Sequence, residues 1–585
     1  MNKSKLRVFS LAVSLSSAIF SLLCFSWHFD VSLLALPLSL VFTASVYFQG
    51  FSRIFGKNDE SGLKIFRLLL QYHPYVLLLS FVIRRAGSYG TPFFLDLITV
   101  FFWCVSSVFD LYILYYINPK RIEKIDSKWK QTFEKQKSGS TIKSVVHEIL
   151  GWVDALVQAV FMVFLINIFF LQLYQIPSES MVPEFLIKDR VVVFKTLSGP
   201  KFPLSQVGLP CFKDYKRGDI VVFRNPHYSM DRKSEVKTFL SQLVYMCTLT
   251  NVNLNVDSQG NPKADPLVKR ITGVPGEQLM MQDGSLYSRT KENPVWQKVE
   301  EDSTYAMWNL NSLKPSLKSK VEDFPLTQVE YDSLLECEEE RRNFDVFLFE
   351  QECRSIAKTF DKYFGLYQKT KSSEDLKSFF NKNNLFEYAL FAQHCYYAEK
   401  LLSSQSGSQW FSSFMTDWIS SKPQDFNGNL YEEANFKLNL MIKRVVGKLI
   451  LTDAEFLLAG KDPEKISGEA EIIDLMQEAV KLNTYVFLLD RRNMGPFPSN
   501  DANGQAVFIP ENCYFMMGDN RFNSLDMRHS YSQKLMPLTS FDAYSVTYYT
   551  SLEPQYVNKN KILGNASYRF YPFDRRGVPG KSASR

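Results

Sequence analysis

At 585 residues the chain is too long for one hydrophobic core and requires several domains. Its formal charge of +6 is small for that length, so the overall balance gives no argument for nucleic acid. Eight cysteines include no C-x-x-C pair, which leaves a zinc site without support, and Cys24 and Cys104 lie in apolar runs. Pairing among Cys211, Cys247, Cys337, Cys353, Cys395 and Cys513 is open at this level. Aromatic residues reach 15%, which suits membrane contact and equally a large β core.

Residues 1–175 read as a membrane region. Five apolar segments, near 8–27, 31–49, 66–83, 93–117 and 151–174, have the roughly 18 to 25 residues that a membrane-crossing helix needs. Gln71, His73 and Pro74 interrupt the third. Lys and Arg set orientation. Lys3, Lys5 and Arg7 precede the first segment, and Arg53, Lys57, Lys64 and Arg67 separate the second from the third. Eight basic residues from Lys120 to Lys143 separate the fourth from the fifth. The alternate connections carry none around Trp27 to Asp30 and only Arg84 and Arg85 near Gly90. Five spans with the amino terminus inside predict that everything after Tyr174 lies outside the cell membrane. The first segment also has the look of a cleavable signal peptide, but a second span follows almost at once without a convincing small-residue cleavage site.

Past Phe185 the texture changes to short β-branched runs bounded by turns. Asp189–Phe194, Asp219–Phe223, Leu267–Val274 and Cys513–Met517 predict strands, and Asp283-Gly284 predicts a two-residue hairpin. Between 291 and 501 apolar positions recur at helical spacing, as in Leu438, Met441, Ile442, Val445 and Leu449 or Ile472, Leu475, Met476 and Ala479. Segments near 327–364, 373–404 and 409–421 read as helical too. The expected plan is thus a multi-pass α-helical membrane region followed by a mainly antiparallel all-β domain, 176–290 and 502–585, with an all-α insertion at 291–501. Smaller inserts are expected at His227–Pro266 and from His529 to about Val557.

Four short boxes occur in order: PSESMVPEF at 177–185, RGDIVVF at 217–223, VKRITGVPGE at 268–277 and GDNRFNSLDMR at 518–528. Together, behind an apolar span, they resemble the type I signal peptidases, membrane-bound serine peptidases that use a Ser/Lys dyad. The resemblance implies Ser180 as nucleophile and Lys269 as general base. A lysine becomes a base when an apolar site lowers its pKa, and Leu267, Val268, Ile271 and Val274 supply such surroundings. The resemblance also implies an oxyanion hole made by the Ser180 N–H and the Ser178 hydroxyl, each donor typically contributing about 3–4 kcal/mol. Ser524 corresponds to the residue that orients the lysine, Asp526 and Arg528 to a supporting ion pair, and Asp519 to a partner for Arg270. Met181 and Pro183 fall beside the substrate. Two positions depart from the family pattern, Glu184 and Met527, and Glu184 is expected to put a carboxylate near the site's mouth.

A His-based triad is the competing chemistry, with His529 close to Asp526 in sequence. No motif surrounds His529 or the histidines His28, His73 and His147. No cofactor is implied. The reading is a serine endopeptidase of the cytoplasmic (inner) membrane that removes signal peptides from exported preproteins at the outer face. Membrane lipids are expected partners and nucleic acid is not. A catalytically inactive membrane scaffold, or a dyad peptidase dedicated to a few substrates, are the alternatives. Substrate range, the insertion's role and oligomeric state are not legible here.

Overall fold

The computed structural model describes residues 3–580 except 119, 126–127, 130–140, 229–230, 249–251, 253, 257–262, 370, 374–375 and 377–392. Much of the basic connection before the fifth span, Cys247 and most of the 373–404 segment lie outside the residues, or the side chains, described. Among the described residues five helices are long and apolar enough to cross a membrane. They are α1 (Lys3–Leu23), α2 (Ala35–Tyr47, continued to Ile54), α3 (Leu63–Arg85), α4 (Phe93–Tyr116) and α5 (Thr141–Phe169). Helix α3 runs unbroken through Pro74, and His73 within it hydrogen-bonds Asp110 of α4 at 2.8 Å. The polar residues that interrupt the third apolar segment therefore face a neighbouring helix. Helices α1–α4 pack together, whereas no residue in the apolar window of α5 is fully buried, although Tyr75 of α3 stacks on Phe161 at 4.7 Å between ring centroids.

The first four helices are tied to the β region at one end. Arg84 at the end of α3 meets Asp96 at the start of α4 at 2.5 Å. Asp96 also accepts from the Ser205 hydroxyl at 2.8 Å, and Arg85 donates to the Leu204 carbonyl at 2.6 Å. Phe202 and Val207 join Phe20, Cys24, Leu77 and Phe81 in one apolar cluster.

Strand β1 (Leu171–Gln175) follows α5 after one residue and begins a seven-stranded antiparallel sheet. Its other members are β2 (Arg190–Phe194), β3 (Ile220–Phe223), β4 (Leu267–Gly273), β9 (Cys513–Met517), β12 (Val557–Asn558) and β13 (Ile562–Tyr571), in the order β1-β2-β13-β3-β4-β9-β12. A second sheet, ordered β7-β6-β5-β8, holds β5 (Glu277–Gln282), β6 (Ser285–Thr290), β7 (Gln297–Lys298) and β8 (Met494–Phe497). Asp283 and Gly284 join β5 to β6 with φ of 52° and 76°, the left-handed pair that a tight hairpin demands. Ile271, Leu279, Met281, Met494 and Phe515–Met517 form the core between the sheets, and Met527 fills part of it.

Helix α6 (Arg232–Cys247) occupies the first small insert. Between the two halves of the β region lie α7 (Gln328–Arg342), α8 (Val346–Leu366), α9 (His394–Ser403), α10 (Gly407–Thr416), α11 (Leu430–Leu458) and α12 (Ala470–Arg492). The buried stripe of α11, with Leu438, Met441, Val445 and Leu449, packs on α8 and α12. The insert after His529 is a hairpin, β10 (His529–Pro537) and β11 (Thr547–Leu552), whose tip enters the helical core. There Lys443 and Asp542, both fully buried, pair at 2.7 Å.

Candidate active site

Ser180 sits in the turn that follows β1, five residues past the strand and eleven past α5. Its loop is held by hydrogen bonds from Val182 N to Glu179 O (3.0 Å) and Phe185 N to Met181 O (2.8 Å). Lys269 is the third residue of β4, and its register opposite Val221 of β3 turns the amine inward. The Lys269 ammonium group reaches Ser180 Oγ in a hydrogen bond, with Lys269 only 3% exposed. Burial lowers the Lys269 pKa from 10.5 to about 8, against the attraction of Asp526 and Asp519. Ser178 Oγ lies 3.3 Å from Ser180 Oγ. Among the described residues no backbone acceptor takes the Ser180 N–H. A buried amine near neutrality beside a serine hydroxyl, with a second hydroxyl and an N–H adjacent, can accept a proton and stabilise an oxyanion.

The last box reaches the same place through β9, which pairs with β4 from Arg270 onward. Asp526 and Arg528 form a two-point ion pair at 2.9 and 3.0 Å, and Gly518 N donates to Asp526 at 2.9 Å. Burial would raise the Asp526 carboxyl, but Arg528 outweighs it and holds the carboxyl well below its usual range. Arg270 meets Asp519 at 2.8 and 2.6 Å and lies on the Tyr305 ring at 4.0 Å. Both faces of β4 are consequently buried. Ser524 lies in the same cluster, yet its hydroxyl finds no partner among the described residues, Lys269 included.

Met181 is buried among Ile176, Phe185, Ile220 and Val222, and Pro183 borders a small cavity beneath Met307 and Leu313. Glu184 stands 7% exposed rather than at an open mouth. It lies 3.7 Å from both Arg270 and Arg569 and accepts from Gly580 N at 3.0 Å. His529 does not join the serine: its Nδ1 lies 3.2 Å from Ser551 Oγ, and burial with Arg528 nearby pushes its pKa down to about 3.

Residues 149–386 match the family model of signal peptidase, peptidase S26. Signal peptidase I of Buchnera aphidicola subsp. Baizongia pistaciae is 37% identical over 103 residues, 18% of this chain and 32% of the relative. Signal peptidase I of Haemophilus influenzae is 25% identical over 218 residues, 34% of this chain and 58% of the relative. The matched region is similar to the type I signal peptidases. Its matches span about a third to three-fifths of the length of these relatives. The signal-peptidase model ends before the fourth box, which the pairing of β9 with β4 returns to Lys269.

Three contributors were not singled out from sequence. Asn520 donates from its backbone to the Ser180 carbonyl and from its amide to the Glu179 carbonyl, both at 3.2 Å. Glu179, between the two serines, accepts from the backbone N–H groups of Glu322 (2.6 Å) and Asp323 (3.1 Å). Leu310, Leu313, Leu317 and Val321 pack on Val182 and Leu186 beside it. The segment leading into the helices is thus built against the serine loop. Asn520 was legible only as a member of its box, and nothing near Glu179 names a partner 143 residues away.

Gly518 is the third. A Cβ there would lie 2.4 Å from the Ser180 carbonyl oxygen and 2.2 Å from Ser524 Oγ, closer than real contacts allow. Gly518→Ala is expected to displace the serine loop and lower kcat/KM for peptide cleavage by about 100-fold, since small misplacements of reacting groups carry such losses. Unchanged kinetics in a variant with wild-type circular dichroism would refute it.

Proposed function

We propose that the chain is a membrane-bound serine endopeptidase that cleaves amino-terminal signal peptides from exported preproteins, with Ser180 as nucleophile and Lys269 as general base. The observation that carries this reading is the hydrogen bond between the buried Lys269 amine and Ser180 Oγ. The neutral amine takes the hydroxyl proton as Ser180 attacks the carbonyl. The Ser180 N–H and Ser178 hydroxyl receive the oxyanion. Its collapse breaks the C–N bond as the Lys269 ammonium returns the proton to the departing amine, and water deprotonated by Lys269 then hydrolyses the acyl ester and frees Ser180.

Position supports the substrate class. The serine follows α5 by eleven residues, so with α5 spanning a membrane the reaction occurs close to its surface. The ends of α1, α3 and α5 and the starts of α2 and α4 contribute to one apolar cluster with Phe202 and Val207, which fits five crossings with the β region on the outer side of the inner membrane. Among the described residues two strand edges are open for an extended substrate: β1, paired with β2 alone, and the start of β4, where Leu267 to Lys269 extend beyond β9.

The test is incubation of the purified full chain with a preprotein in detergent, with sequencing of the new amino terminus. The expected result is one cut after a small residue at the end of the signal peptide. A folded protein that cuts no preprotein would favour the scaffold reading.

A further inference from the structure

Between the end of α5, helix α6 and the sheet lies a cavity of about 530 Å³ that the proposed reaction does not use. One side of it is cationic. Lys195, Lys201 and Lys561 line it, and none has a carboxylate partner among the described residues. Lys195 donates to the Asn167 carbonyl at 2.9 Å and to Gln172 Oε1 at 3.2 Å, and Lys201 donates to Gln206 Oε1 at 2.6 Å. The other charges lining the cavity are matched: Arg224 by Asp265 at 3.1 Å, Glu235 by Arg232 at 3.0 Å. Three lysines therefore line one concave space without a carboxylate partner among the described residues. Burial and the nearby Arg224 hold Lys195 down to about 8, as expected of a cation lacking its counter-ion.

Another part of the lining is apolar, formed by Phe164 and Ile168 from the last turns of α5 and by Phe239 and Leu243 from α6. Beyond the rim, Phe170, Leu173, Phe194, Leu197 and Phe212 are each more than half exposed. Phe194 pairs with Leu171 of β1, and Phe212 N donates to the Leu197 carbonyl, so these side chains follow on from α5 as one surface. Large apolar groups standing together outside the core, contiguous with an apolar helix, fit the boundary of a bilayer.

We infer that this cavity binds the phosphate group of a phospholipid, with Lys195, Lys201 and Lys561 around the phosphate and the acyl chain against Phe164, Ile168 and Phe239. Charge-assisted hydrogen bonds from three amines suit a phosphate, and an apolar wall suits a ligand that carries a chain. The inference rests on α1–α5 lying in a membrane and not on the chemistry at Ser180.

The full chain in non-ionic detergent would be titrated separately with phosphatidylglycerol, diacylglycerol and inorganic phosphate, and bound ligand read by native mass spectrometry alongside the thermal midpoint. Phosphatidylglycerol is expected to be retained at one site, with the other two probes at least tenfold weaker. Lys201→Gln with Lys561→Gln should weaken it at least tenfold, and the remote Lys358→Gln should not. Should the double variant not fold, Lys561→Gln alone makes the comparison, with a smaller loss in the same direction. Equal binding of diacylglycerol, or no loss in the cavity variants, overturns the proposal. Inorganic phosphate binding as tightly as the lipid would assign the site to free phosphate and overturn the lipid.

Discussion

Ser180→Ala and Lys269→Met are each expected to lower preprotein cleavage by about 10⁴-fold or more, while His529→Ala retains activity. The reason is the geometry: Lys269 is the group bonded to Ser180 Oγ, and His529 points to Ser551. The pH profile separates this from generic damage. Only the neutral amine can take the proton, and burial sets the Lys269 pKa at about 8. Cleavage should therefore rise about tenfold per pH unit up to about pH 8 and level off above it. Stability moves the other way from activity in the lysine variant. The unfolded chain holds this proton more tightly than the folded one, so the charged amine destabilises the fold throughout the range below pH 8. That cost is relieved as pH rises from about 8 to 10.5. A shift from 10.5 to about 8 corresponds to roughly 3 kcal/mol, so Lys269→Met should be inactive yet at least as heat-stable as wild type at pH 7. An inactive variant with a sharply lowered thermal midpoint would remove the argument, as would wild-type kcat/KM in either dyad variant.

Asp526→Ala is expected to destabilise the protein by about 3–5 kcal/mol, the usual consequence of stranding one half of a buried ion pair. Arg528 is fully buried and would keep only the Arg491 and Arg521 carbonyls, at 2.7 and 3.1 Å, while Gly518 N–H would lose its acceptor. Because Arg528 holds the Asp526 carboxyl below its unfolded value of 3.8, the pair's contribution is complete at neutral pH and declines only in acid. The double variant Asp526→Leu with Arg528→Met should recover much of the loss, since an apolar pair leaves no buried charge. The milder Asp526→Asn also removes an attraction that raises the Lys269 pKa, so its activity profile should shift to lower pH. Chemical denaturation of the three variants, with equal stability for the single alanine and wild type, would show that the pair does not hold the site.

Much of the plan was legible because it rests on local pattern. Apolar length marked the five spans, β-branched runs marked β2, β3 and β4, a short apolar and aromatic run marked β9, and Asp283-Gly284 marked its hairpin. The hairpin β10–β11 was not legible, since β10 carries Ser, Gln and Lys and the pair is secured by the helical core into which its tip inserts. Glu184 misled for a related reason: a carboxylate in a loop reads as exposed until two arginines from distant strands close over it.

Residue type and order by themselves determined that this protein has five long apolar segments, a β framework and four boxes that resemble those of the type I signal peptidases, because hydrophobic period and short motifs are properties of neighbouring residues. Only the tertiary structure decided that Ser180 and Lys269, 89 positions apart, share a hydrogen bond. It alone brought Asp526 to them across the intervening helices and set Glu179 against Glu322 and Asp323. Such pairings are fixed by strand order and by the satisfaction of buried polar groups, which are long-range quantities that no local spacing encodes.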